Sequence, residues 1–122
     1  MFPGAPLIRR PGIINAWDDP EFVAAIEKTG RKNLIMAGVT NDVCTVYPAI
    51  SAVQEGFNVQ VVADAGGSPS QFADEIALQR MKDNGVVLTT TNQCIAELAQ
   101  DWSSPDGSKL IQVLFEEVLS KL

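Results

Sequence analysis

Histidine is absent from the 122 residues of this sequence. That absence excludes Ser-His-Asp and Cys-His catalytic machinery within the chain, and any metal site that depends on histidine ligands. The two cysteines, Cys44 and Cys94, are too few for a four-thiolate zinc site. Their number is also unlike that of a secreted disulfide framework, so we expect a reducing, cytoplasmic location. We expect neither a metal nor a cofactor.

Positive charge and long apolar runs are also scarce. Lysine and arginine number 9 against 15 acidic residues, which gives a net charge of -6 and a pI near 4.4. An acidic protein of this kind is expected to bind neither nucleic acid nor an anionic membrane. The longest apolar runs are about six residues, far below the roughly 20 that a membrane helix needs. The first residues, MFPGAPLIRRPG, lack the long apolar core of a signal peptide.

Three short apolar runs predict β-strands at residues 33–38, 58–64 and 86–89. Each run is followed by turn residues and then by apolar residues at helical spacing. Strands that are apolar on both faces and alternate with helices are typical of a parallel sheet. The predicted fold class is therefore α/β, with a Rossmann-like parallel sheet covered by helices on both faces.

Two further helices are predicted outside these repeating units. The first begins at Pro20, with Asp19 as its N-cap, and Gly30 ends it. The last is an amphipathic helix over residues 110–122, where apolar residues recur at helical spacing.

Three strands are few for such a sheet, which usually has about five or six. We therefore predict a single domain over residues 1–122 that corresponds to the C-terminal portion of the full fold, truncated at its N-terminus. A partner chain could supply the missing neighbours instead. A bare apolar edge strand recruits another chain, so a homo-oligomer is expected.

Cys44 is the residue that best indicates chemistry, because it follows the first predicted strand, at the sheet edge where ligands of α/β proteins bind. Thr40 or Asn41 can cap the helix that contains it. Backbone N–H groups in a first helical turn favour a thiolate and can hold a developing oxyanion. Pro48 cannot donate to the Cys44 carbonyl, so the helix is expected to loosen there. The alternative is a buried cysteine that acts as a small apolar residue.

Other polar and aromatic residues have structural interpretations. Asp64 ends the second predicted strand and either faces the site or caps the turn at Gly66 and Gly67; capping is preferred. First-turn helix electrostatics explain Asp42 adequately. Cys94 is interpreted as a core residue, and both tryptophans as packing or subunit anchors. No glycine-rich phosphate loop follows a strand, which disfavours a nucleotide-binding module.

Residues 34–65, LIMAGVTNDVCTVYPAISAVQEGFNVQVVADA, resemble the core signature of the isochorismatase-like cysteine hydrolases. The specific features are AGVTNDVC, a helix that ends in EGF, and then VVADAGG. The flanking pieces RRPGIINAWDDPEF and AELAQDW resemble the YcaC-like branch more narrowly. The resemblance covers nearly the whole chain from Pro6 to Trp102.

The resemblance implies roles for particular residues. Cys44 corresponds to the nucleophile, and Arg10, in the RPG motif, corresponds to the basic catalytic residue. A permanent cation of this kind favours the ionised form of a nearby thiol. The alternative for Arg10 is a solvated surface residue. The backbone N–H groups of Thr40 and Cys44 would form an oxyanion hole, and the Val39–Thr40 peptide would be cis.

The implied reaction is hydrolysis of a small amide or ester through a thioester on Cys44. The family also uses an aspartate on an upstream strand as general base, and this sequence has no counterpart to it. The alternative function is therefore a catalytically inactive remnant that acts as an assembly module. YcaC-like proteins form octamers, so the resemblance implies an assembly of that kind.

Overall fold

The computed structural model describes residues 2–122 and contains a three-stranded parallel sheet in the order β1-β2-β3. The strands are β1 (Asn33–Met36), β2 (Asn58–Val62) and β3 (Val87–Thr89). The helices are α1 (Pro20–Glu27), α2 (Val46–Gln54), α3 (Gln71–Asp83), α4 (Thr91–Ala99) and α5 (Pro105–Glu117). A parallel sheet flanked by helices confirms the predicted fold class.

Helix starts follow their capping residues. The Asp19 side chain accepts a 2.9 Å hydrogen bond from the Glu21 N–H, and Pro20 occupies the first position of α1, as predicted. The prediction for the last helix was wrong in its bounds, because Ser104 accepts a hydrogen bond from the Gly107 N–H and starts α5 at Pro105. A short 3-10 turn, Leu119–Lys121, follows this helix.

The main core lies between one face of the sheet and helices α1 to α3. Met81 of α3, Val46 of α2 and Val61 of β2 are its largest fully buried apolar side chains. Truncating such a residue to alanine typically costs about 2–5 kcal/mol. This packing holds α2, and with it the turn that precedes α2, firmly against the sheet.

The opposite face of the sheet is less well covered. The strand register places Ile35, Gln60 and Val87 in one row across this face. Ile35 is 52% exposed and Val87 is 56% exposed, while Gln60 donates hydrogen bonds to both carboxylate oxygens of Glu97 on α4. A cavity of about 640 Å³ lies on this side.

The outer edge of β1 is also open. Within residues 2–122, β2 is the one strand that pairs with β1. In the same part of the chain, each helix is too short or too polar to span a bilayer.

Candidate active site

A cleft of about 500 Å³ opens beside the carboxyl end of β1. Cys44 and Arg10 both line it, although one follows the strand and the other belongs to the N-terminal segment. The remaining lining is mostly apolar: Pro6, Leu7, Ile8, Ala16, Phe22, Ile35, Met36, Ala37, Gly38, Val39, Thr45 and Pro48. The fold thus brings together the two residues that the resemblance singled out.

Cys44 sits in a turn of π-helix, Asn41–Thr45, that leads directly into α2. The Thr40 carbonyl accepts a 3.0 Å hydrogen bond from the Thr45 N–H, one residue later than an α-helix would place the donor. Thr40 is the N-cap residue, but its side chain makes no capping hydrogen bond. The loosening was expected at Pro48, but the structure has the widened turn at Asn41–Thr45 and places Pro48 within α2.

The wide turn leaves Cys44 exposed. The alternative of a buried core cysteine is therefore wrong for this position. Cys94 is the opposite case, because it is 8% exposed on α4. Burial, together with the negative charge of Glu97, raises the pKa of the Cys94 thiol and keeps it neutral. The burial of Cys94 therefore agrees with the prediction that it is a core residue.

Arg10 is half-buried at the mouth of the cleft. Its guanidinium Nη1 donates hydrogen bonds to the carbonyls of Ile13, at 2.6 Å, and Ile14, at 3.0 Å. The ion pairs among residues 2–122 are Lys109–Asp106 and Lys121–Glu117, so no carboxylate described here neutralises Arg10. Two backbone carbonyls therefore hold the guanidinium of a residue that lines the cleft.

The backbone on either side of the turn is tied to the loop between β2 and α3. The Asn41 N–H donates a 2.8 Å hydrogen bond to the Gly67 carbonyl, and Val39 forms a parallel bridge with Gly67. The Val39–Thr40 peptide is cis, which is the bond that the resemblance named. These contacts set the position of the turn relative to the end of β2.

Sequence reasoning placed Asp64 wrongly and missed the residues that support the Cys44 turn. Asp64 does not cap the Gly66 and Gly67 turn, because its carboxylate accepts hydrogen bonds from the N–H and hydroxyl of Thr91 at the start of α4. Ser68 and Asp74, which contact the turn, were not singled out at all. Their only sequence signal is that they follow the second strand, where a neighbouring loop approaches the site.

A profile of the isochorismatase domain matches residues 2–93. Together with the parallel sheet and the cysteine turn at its carboxyl edge, this match defines the class of protein. The chain belongs to the isochorismatase family.

Within that family, the chain is similar to YcaC proteins, as the sequence motifs predicted. It is 46% identical over 102 residues to the probable hydrolase YcaC of Escherichia coli K12, covering 84% of this chain and 49% of that protein. The crystal structure of E. coli YcaC, an octameric hydrolase of unknown specificity, matches with a TM-score of 0.90 and 42% identity. That match covers 98% of this chain and 58% of the solved one.

YcaC from Pseudomonas aeruginosa, solved with hexane-2,5-diol and covalent acrylamide, matches with a TM-score of 0.81 and 41% identity over 93% of this chain and 62% of that one. A nicotinamidase/pyrazinamidase from Acinetobacter baumannii matches with a TM-score of 0.53 and 26% identity over 58% of this chain and 35% of that one. The chain spans about half the length of the curated relatives it matches.

Proposed function

We propose that this chain carries the nucleophile and the cation of a cysteine hydrolase that acts on a small amide or ester. The observation that carries the proposal is the exposed Cys44 in a cleft that it shares with Arg10. The cleft volume of about 500 Å³ suits a small molecule, and its lining is largely apolar. The nicotinamidase relative and the acrylamide bound covalently to P. aeruginosa YcaC support an amide and a nucleophilic site.

The reaction would proceed by acyl transfer. The Cys44 sulfur attacks the substrate carbonyl carbon, the C–N or C–O bond breaks, and the amine or alcohol leaves with a proton. Water then attacks the resulting thioester, the C–S bond breaks, and the thiol regains its proton as the acid leaves. Arg10 lines the same cleft and is not neutralised by a described carboxylate, so its charge can stabilise negative charge that develops at the sulfur and on the substrate.

The tetrahedral intermediate would be stabilised by the N–H groups of Thr40 and Cys44. The wide turn supports this role, because the Thr40 carbonyl bonds to Thr45 and not to Cys44. An α-helical turn would instead direct the Cys44 N–H at that carbonyl.

Proton transfer during acylation and hydrolysis needs a base. Among residues 2–122, those that line the cleft include no aspartate or glutamate. We therefore expect the chain by itself to be acylated slowly by an amide, more readily by an activated ester whose leaving group needs no proton, and to release the acyl group slowly. Addition of an upstream strand that bears an aspartate should restore turnover; if it does not, the alternative of an inactive assembly module is favoured.

We also propose that the chain assembles into a homo-oligomer. The open edge of β1 and the exposed Ile35 and Val87 support self-association, since apolar strand edges recruit other chains. E. coli YcaC is octameric. Light scattering that shows a monodisperse monomer would contradict this proposal.

Selective alkylation tests the site directly. Iodoacetamide at neutral pH should label Cys44 faster than it labels glutathione, and much faster than Cys94, as read by peptide mass spectrometry. Exchange of Arg10 for methionine should slow labelling of Cys44 about tenfold, whereas the same exchange at the neighbouring Arg9 should leave it unchanged. If Cys44 and Cys94 react equally slowly, the proposed nucleophile is wrong.

A burst assay with a p-nitrophenyl ester is a second test of the same site. The chain should release one equivalent of nitrophenol in a burst and gain the acyl mass on Cys44. Cys44→Ala should lose the burst, and Cys94→Ala should keep it.

A further inference from the structure

One carboxylate, that of Asp74 in the first turn of α3, holds the start of the Cys44 turn through two separate side chains. Its Oδ1 atom accepts a 3.0 Å hydrogen bond from the Asn41 side-chain amide. The same oxygen accepts a 2.7 Å hydrogen bond from the Ser68 hydroxyl. Ser68 in turn accepts a 3.1 Å hydrogen bond from the Asp42 N–H. Asp74 is therefore linked to Asn41 directly and to Asp42 through Ser68, and these are the first two residues of the turn that contains Cys44.

The direction of each hydrogen bond in this network is determined by chemistry. An ionised carboxylate only accepts, so the Ser68 proton points at Asp74 and leaves a Ser68 lone pair for the Asp42 N–H. The Asn41 amide nitrogen faces two acceptors, the Asp74 carboxylate and the Ala63 carbonyl at 3.3 Å, which sets the orientation of the amide. Hydrogen bonds to a charged acceptor are stronger than neutral ones.

The Asn41 side chain is held through its amide nitrogen. It is fully buried, and within residues 2–122 its Oδ1 atom has no hydrogen-bond partner. That oxygen packs against Gly66, where a Cβ atom would lie only 2.4 Å away. The amide nitrogen therefore makes all of the polar contacts of this side chain, and Asp74 receives the shorter of its two hydrogen bonds.

We propose that Asp74 is a positioning residue for the nucleophile: its carboxylate, acting through Asn41 and Ser68, holds the wide turn in the form that exposes Cys44 to the cleft. The inference rests on the proposed function of Cys44. Asp74 does not itself line the cleft, so it acts on the turn and not on the substrate. Without it, the N–H groups around Cys44 lose their alignment with the cleft, and the sulfur loses its fixed position.

The first measurement follows the turn and does not depend on catalysis. Asp74→Ala should increase the rate of amide hydrogen exchange at Asp42, because the Ser68 hydroxyl loses its fixed orientation. Exchange in α2, beyond the turn, should stay as it is in the unaltered chain. Unchanged exchange at Asp42 overturns the inference, whatever the reactivity of Cys44.

The second measurement follows Cys44. Asp74→Ala should slow iodoacetamide labelling of Cys44 about tenfold at a temperature where circular dichroism shows a folded chain. Asp74→Asn keeps an acceptor oxygen without the charge and should recover part of the rate. Cys94 serves as the internal control, since its labelling should not change. A purely structural role would lower the melting temperature and leave both the labelling rate of the folded chain and its pH profile unaltered.

Matched variants keep the test decisive. Glu75 is the adjacent residue on α3, is exposed, and within residues 2–122 its side chain bonds only to that of Gln71, so Glu75→Ala should behave like the unaltered chain. If Asp74→Ala does not fold, Ser68→Ala removes the link to Asp42 alone and should give a smaller loss of labelling. A labelling rate that is unchanged or increased in Ser68→Ala and Asp74→Asn overturns the inference. Slow Cys44 labelling in the unaltered chain, with faster Asp42 exchange in the variants, instead counts against the proposed function.

Discussion

Two strand-to-helix junctions in this protein have the same residue spacing and opposite outcomes. After β1, Thr40 occupies the N-cap position and Cys44 is the fourth residue that follows it. After β3, Thr90 occupies the N-cap position and Cys94 is the fourth residue that follows it. Cys44 is nevertheless exposed and Cys94 is buried.

The difference lies in where the hydrogen bonds of the cap go. The Thr90 hydroxyl accepts from the Gln93 N–H, and the Thr90 carbonyl accepts from the Cys94 N–H at 2.8 Å, so α4 begins as a regular α-helix. The Thr40 side chain makes no such bond. The Thr40 backbone carbonyl accepts a hydrogen bond from the Thr45 N–H instead of from the Cys44 N–H. One additional residue in the turn changes the direction in which its side chains point.

Aspartates that follow β2 in the sequence support both junctions, by different means. Asp64 bonds directly to Thr91 at the start of α4. Asp74 reaches the Cys44 turn through Asn41 and Ser68. Asp64 thus acts on the start of a regular α-helix, whereas Asp74 acts on a π-helical turn. A cysteine's place in a first helical turn therefore does not by itself decide whether it is exposed.

Substitution of Gly66 should disrupt the first junction most severely. A Cβ atom there would lie 2.4 Å from both the Asn41 Oδ1 atom and the Gly38 carbonyl oxygen. Gly66→Ala should therefore cost about 1–3 kcal/mol of unfolding free energy and displace the Cys44 turn. Urea denaturation and Cys44 labelling measure the two effects.

The neighbouring Gly67 is the matched control, because a Cβ atom there would meet nothing within 4 Å. Gly67→Ala should change neither stability nor labelling appreciably. Equal behaviour of the two variants would show that close packing against Asn41 does not support the turn.

Loss of Asp64 should weaken the second junction by less. Asp64→Ala leaves the Thr91 N–H without its partner, which should cost about 0.5–2 kcal/mol, as for other helix caps. Fraying of α4 should then speed labelling of Cys94 while Cys44 labelling stays the same. Asp83→Ala is the control, since among the described residues the Asp83 side chain accepts a hydrogen bond only from the Gln79 side chain. Faster labelling of Cys44 in Asp64→Ala would mean that the two junctions are coupled.

The smallest expected effect is a pH dependence of stability that comes from Cys94. Burial and Glu97 raise the pKa of this thiol above its ordinary value of 9.0. Above pH 9 the unfolded chain therefore loses a proton that the native chain keeps, and the free energy of unfolding falls as pH rises.

Urea denaturation at pH 8 and pH 10, in the unaltered chain and in Cys94→Ala, measures this contribution. The fall in stability between the two pH values should be smaller in Cys94→Ala, because that variant lacks the group. An identical fall in both proteins would show that Cys94 titrates alike in the native and unfolded chains.

Much of the fold could be predicted from sequence because local patterns were strong. Apolar runs identified all three strands, and Asp19 with Pro20 identified the start of α1. The start of α5 was missed, although Ser104 and Pro105 are a capping residue and a first-turn proline. The apolar periodicity begins at Leu110, after the helix itself has begun, and so predicts too late a start.

The site could be predicted only in part. Cys44 and Arg10 were named from motifs, and the structure places both at one cleft. The contacts of Ser68 and Asp74 with the Cys44 turn span 26 and 33 residues of sequence, respectively. No local pattern reports such contacts, because they depend on how the loop after β2 packs against the turn after β1.

The sequence by itself determined the strand-helix alternation and the family, and it singled out Cys44 as the proposed nucleophile, since each depends on residue type and short-range spacing. Only the tertiary structure decided which of two similarly placed cysteines faces solvent. The physical reason is that exposure depends on hydrogen bonds from distant residues and on the packing of neighbouring helices.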